Sequence, residues 1–118
     1  MKRVNILGTT YRVYLGVPYS KDPALENAFG YTDFHGKRIV VADVKTVPGW
    51  TDASDEVVLD TFSTTVRHEV IHAYLMESGL NSSSNGVDCW ARNEEMVDWF
   101  AIQMPKLLRT FSELEVCV

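Results

Sequence analysis

The sequence is poor in everything that marks a secreted, membrane-spanning or nucleic-acid-binding chain. Its 118 residues hold only two cysteines, Cys89 and Cys117. Two lone cysteines without an export signal read as free thiols in a reducing compartment, not as a disulfide framework. The opening MKRVNILGTTYRVY is basic at its start, but Thr9, Thr10 and Arg12 interrupt any apolar run, so the core of a signal peptide is missing. No stretch approaches the ~18 apolar residues of a membrane span. No basic stripe is available to neutralise phosphates, and the net charge of −5 runs against nucleic acid. The expectation is a cytoplasmic chain with neither a membrane nor a nucleic-acid partner. Repeats, low-complexity tracts and linkers are absent too, so 1–118 is read as one domain.

What is present is a 46% hydrophobic composition, enough for a compact core. The first half reads as strands. Val4 to Leu7 and Tyr11 to Leu15 alternate in polarity around a Gly8-Thr9-Thr10 turn. Asp22-Pro23 opens a short helix through Leu25 and Ala28. Phe29 to Thr32 and Lys37 to Ala42 form a second strand pair with His35-Gly36 at the turn.

A long helix follows. Ser54 is a good N-cap, and Asp55 and Glu56 place negative charge in the first turn, where the helix dipole favours it. Val58, Phe62, Val66, Val70 and Ala73 recur at helical spacing as an apolar stripe, and Gly79 is a natural stop. At ~1.5 Å per residue this helix is roughly 36 Å long. After the polar loop from Asn81 to Val87, a second helix starts near Arg92, with Val97, Phe100, Ala101 and Met104 on one side. Pro105 lacks the N–H of an uninterrupted helix, so a kink or break is expected there, with Lys106 to Glu113 as a further piece. The expected class is α+β: a small N-terminal, twisted, mostly antiparallel sheet packed on the long helix and a second C-terminal one.

The long helix carries the chemistry. Residues 67–76 read RHEVIHAYLM, placing His68 and His72 four positions apart around Glu69. Positions i and i+4 share one helix face, so both imidazoles can aim a nitrogen at one ion at zinc's ~2.0–2.1 Å bonding distance. Glu69 points about 100° round the helix, out of ligating reach but able to meet a water held by that ion as a general base.

A third ligand is needed, and the candidates are Glu94, Glu95, Asp88, Cys89 and His35. If the second helix packs antiparallel on the first, an early inward carboxylate arrives near the histidines. Turning Glu94 inward also brings Asp98 to that face one turn later, where it can accept the outer N–H of a ligating histidine. Turning Glu95 inward brings the apolar Trp99 instead, so Glu94 is favoured. The plain alternative for both acids is a solvated helix start.

These residues resemble the gluzincin metallopeptidases, in which an HExxH helix is followed by a second helix offering a glutamate. Asn93 to Asp98, NEEMVD, looks like the NExxSD signature of that clan, with Val97 where serine is expected. The wider frame, HEVIHAYLMESGL followed by NEEMVDWFAIQMPKL, is similar to small phage-encoded neutral zinc metallopeptidases and, more distantly, to ImmA/IrrE-type metallopeptidases. The similarity covers about Ser54 to Leu108. It implies a minimal zincin-like fold with Zn2+ held by His68, His72 and Glu94, Glu69 as base and Asp98 behind a ligand. It implies a peptide or protein as substrate, hydrolysed at a peptide bond. It also implies a sheet edge above the metal helix that binds extended substrate, a role for which Lys37 to Ala42 is the candidate strand.

Three further classes stay open: a zinc-stabilised binding module that cuts nothing, a regulatory protease with a single target, and a helical domain with no metal at all. Around the site, His35 reads as a surface residue, and Tyr31, Tyr74 and His35 are possible donors to a developing oxyanion. Trp90, Trp99 and Phe100 read as core. The tail from Ser112 to Val118, with Cys117 as a blocking ligand, is a candidate restraint over the cleft, as is seen among minimal gluzincins.

Overall fold

The computed structural model describes residues 1–80 and 92–117; Asn81 to Val87, Asp88, Cys89 and Trp90 lie outside the described residues. The alternating N-terminal stretches form strands, and each reversal has a local cause. β1 (Lys2–Ile6) and β2 (Thr9–Val17) pair antiparallel with Ile6 opposite Thr9. Leu7 and Gly8 between them both take positive φ, 50° and 92°, as the tight turn of a twisted hairpin requires. Asp22 Oδ1 accepts the Ala24 N–H at 3.0 Å and opens a 3-10 turn, Pro23–Leu25. That turn ends at Leu25, short of the expected Ala28, because Glu26 and Asn27 enter the left-handed region.

β3 (Gly30–Asp33) and β4 (Arg38–Ala42) make the second antiparallel pair. The four-stranded sheet has the order β1-β2-β4-β3, with β2 and β4 parallel. β4 is therefore an inner strand, hydrogen-bonded on both sides, and cannot be the substrate-binding edge expected from the sequence. The run Ile39-Val40-Val41-Ala42, buried throughout, is the signature of a strand covered on both faces. The edge on that side is β3.

Period-two alternation sorts the core. Ile39 and Val41 of β4 join Tyr11 and Val13 of β2 on one face, against Phe62, Val66, Val70 and Ala73. Val40 and Ala42 turn the other way, into a cluster with Leu25 and Val47 flanked by Phe29, Tyr31 and Trp50. The first face is covered by α1 (Asp55–Glu77), whose Ser54 cap accepts the Val57 N–H at 3.3 Å. Gly30 sits where β3 comes closest to this helix. A Cβ there would stand 2.8 Å from the Val40 carbonyl oxygen and 3.0 Å from Thr65 Cγ2, so only glycine fits.

α2 (Glu94–Glu113) begins at an Asn93 cap that accepts the Met96 N–H at 2.9 Å. It runs through Pro105 as one helix instead of breaking there. Val97 and Ala101 are buried. Trp99 is 51% exposed, its ring edge-on to Phe100 at 5.2 Å, and so does not belong to the core. The tail turns back on the end of α2: the Val116 N–H donates to Phe111 O, and Cys117 Sγ lies 3.5 Å from Leu108 O. Cys117 is an exposed free thiol away from the histidines, so the expected restraint over the cleft is not what the structure shows. Among the described residues, no helix is long and apolar enough to cross a membrane.

The C-terminal end of α1 is pinned to the sheet by Glu77. Its Oε1 accepts from Lys37 Nζ at 2.6 Å and Tyr11 Oη at 2.8 Å, and its Oε2 accepts from Thr9 Oγ1 at 3.1 Å. The Lys37 bond, followed by those from Tyr11 and Thr9, holds the carboxyl below the usual glutamate range. A depressed carboxyl contributes stability above its unfolded pKa and loses it as pH falls through the folded value. Glu77→Gln should therefore cost about 1–3 kcal/mol at neutral pH. The gap between variant and parent in urea denaturation should close as pH drops below the ordinary carboxylate range; a gap of constant size would show that the charge is not what Glu77 contributes.

Candidate metal centre

The fold gives α1 two occupied sides. With its apolar stripe seated on the sheet, His68 and His72 turn towards α2, and Glu69 lies on the shoulder facing β3. Three residues converge between the helices: His68 Nε2 is 3.1 Å from His72 Nε2 and 3.0 Å from Glu94 Oε2, and His72 Nε2 is 2.9 Å from the other Glu94 oxygen, Oε1. Two donors bound tetrahedrally at ~2.05 Å from one ion stand about 3.3 Å apart. The observed spacings are close to that.

The donor chemistry fits as well. Asp98 Oδ1 lies 2.7 Å from His68 Nδ1. A carboxylate there accepts a hydrogen bond from Nδ1–H, which keeps the proton on Nδ1 and leaves the lone pair of Nε2 pointing into the cluster. Lone-pair-bearing nitrogens and a carboxylate packed this closely repel one another unless a proton or a metal cation sits among them. The group His68, His72 and Glu94 can hold a metal ion.

Burial is uneven in a way that leaves the site open. The His72 side chain is nearly buried, whereas those of Glu94 and Asp98 are 66% and 57% exposed. The cluster sits in a cleft of about 830 Å³ bounded by Gly30, Tyr31 and Thr32 of β3 and by Thr61, Thr64 and Thr65 of α1. Glu69 lines the cleft but is only 7% exposed. Its Oε2 lies 3.9 Å from His68 Nε2, and its Oε1 is 2.8 Å from Thr32 Oγ1. Burial raises the Glu69 carboxyl above the usual range, although the Thr32 hydroxyl and the two histidines work the other way.

The structure thus brings His68, His72, Glu94, Asp98 and Glu69 together. It does not bring in Glu95, which is exposed outside the group, or His35, which is exposed at the β3–β4 turn. Of the three candidate oxyanion donors only Tyr31 lines the cleft. Its hydroxyl donates to Asp22 Oδ2 at 2.6 Å, and burial first, then that bond, pushes it up to about 12. The lining residues to which the sequence assigns no role include Thr32, Arg67 and Arg92. Thr32 becomes visible once β3 is paired in register, because Thr32 stands opposite Ile39 and so faces α1. Arg92 supplies a cation to the cleft wall, and no spacing rule selects it.

Comparison with known proteins adds nothing to these distances: no family model, curated protein or solved structure matches the chain. If Asp98 orients His68 as the 2.7 Å contact implies, Asp98→Asn should weaken the binding of a divalent metal ion by about 10–100-fold. Competition with a chromophoric chelator measures this, and an unchanged affinity would reduce Asp98 to a bystander.

Proposed function

We propose that this chain is a zinc-dependent endopeptidase of the minimal gluzincin kind. The observation that carries the reading is the convergence of His68, His72 and Glu94 within 3.1 Å of one another, with the Glu69 carboxylate beside them in an open cleft. Two imidazoles and one carboxylate are a donor set that zinc uses in hydrolytic sites, with a position left for water or substrate. Zinc held there would act as a Lewis acid, lowering the pKa of water and polarising a carbonyl.

The chain's own residues divide the remaining work. Glu69 takes the proton of the attacking water and passes it to the leaving amine. Thr32 holds one Glu69 oxygen, which leaves the other facing the cluster. β3 takes over the docking role first given to β4. Phe29 O accepts the Ala42 N–H at 2.7 Å, so by strand alternation the backbones of Gly30 and Thr32 point to the free edge. An extended peptide can pair there as an added strand, above the metal cluster.

One observation favours the non-catalytic alternative. Glu69 is buried, as it would be in a zinc-stabilised binding module whose metal never meets substrate. Glu69→Gln separates the two readings. With a quenched peptide library as substrate, the variant should keep its zinc and lose about 10²–10⁴-fold in cleavage rate. Full cleavage by the variant would overturn the role of Glu69, and a zinc-loaded parent that cuts no peptide would favour the binding module.

A further inference from the structure

Pro105 removes from α2 one of the N–H groups that serve its carbonyls. In an α-helix the N–H of residue i+4 serves the carbonyl of residue i, so the missing N–H of Pro105 strands the carbonyl of Ala101. Ala101 is fully buried, where an unpaired carbonyl is costly. The donor comes from the other helix: Arg67 Nε–H donates to Ala101 O at 2.6 Å, while its Nη2 donates to Thr64 Oγ1 at 3.2 Å. The guanidinium is thus fixed at both ends, and its bond to the carbonyl is charge-assisted.

The position of this bond gives it a consequence for the metal cluster. Arg67 immediately precedes His68, and Ala101 follows Glu94 and Asp98 on one face of α2, at i, i+4 and i+7. The contacts made by Glu94 and Asp98 come from carboxylates that are more than half exposed. The Arg67–Ala101 bond joins the same two helices from inside the interface. We infer that Arg67 is a positioning residue for the metal centre: by occupying the carbonyl that Pro105 frees, it fixes α2 at the height where Glu94 and Asp98 meet His68 and His72. This rests on the metal reading above.

The test compares Arg67→Met, Arg67→Gln and the double variant Arg67→Met/Pro105→Ala for zinc affinity, cobalt(II) absorption and metal-free Tm. Methionine keeps the length of the stem without a donor. Glutamine places an N–H the same number of bonds from the backbone as Nε, without the charge. Loss of the bond should weaken zinc about tenfold or more in Arg67→Met, with a weakened cobalt band, whereas Arg67→Gln should stay within about threefold of the parent. In the double variant the new N–H at position 105 should satisfy Ala101 O within α2, restoring metal-free Tm but not zinc affinity. Equal zinc affinity in the parent and Arg67→Met would overturn the inference alone. So would equal losses in Arg67→Met and Arg67→Gln, or recovery of zinc affinity in the double variant. A parent that binds no zinc would overturn both this inference and the metal reading.

Discussion

One helix has to satisfy three neighbours at once, and the rest of the structure follows from how α1 does so. Its apolar stripe belongs to the sheet, its Glu69 shoulder to β3, and its histidine face to α2. A rotation of a few tens of degrees would mend one of these contacts and break the other two. The rotation is fixed from separate points along the helix. Glu77 is tied to Tyr11 and Lys37 at one end. Gly30 admits β3 close to Thr65, and Thr32 meets Glu69 in the middle. Arg67 braces the far side against Ala101. The cluster of His68, His72 and Glu94 is assembled because these restraints agree.

A domain of this size has a small reserve of buried area, and it spends some of it on polar groups. Glu69 and His72 are both buried, and among the described residues no buried side-chain nitrogen or oxygen lacks a partner. Such pairing limits the cost of burial without removing it. A cation shared by two histidines and a carboxylate would offset more of that cost, because a ligand that binds only the folded state stabilises it. A metal bound there would hold the two helices together as well as supply the proposed chemistry.

Much of this was legible in the sequence, and the division follows the range of the interactions. The α+β class, the two strand pairs, the Ser54 start of α1 and the HExxH and NExxxD spacings are set by residues within one or two turns or strands of each other. Glu94 is favoured over Glu95 because the same helix face then carries Asp98 and not the apolar Trp99, and the structure has Glu94 and Asp98 beside the histidines. The failures involve partners distant in the chain. β4 was read as an edge because strand order is non-local, although its unbroken IVVA run carried the signal of an inner strand. At Pro105 the sequence points to a kink or break, but α2 passes through it unbroken; the lost bond falls four residues back, on Ala101, and is met by Arg67 from another helix. Trp99 was assigned to the core by its type, whereas its position on α2 leaves it half in solvent.

Both the proposed activity and the bracing role of Arg67 depend on His68, His72 and Glu94 holding one zinc ion. Elemental analysis of the protein purified without metal-affinity resin, with His72→Ala handled in parallel, decides this. Close to one zinc per parent chain is expected, and almost none in the variant. A parent chain that stays free of zinc after incubation with the metal at neutral pH would contradict it, and RHEVIHAYLM would then be only one helix of a small α+β domain.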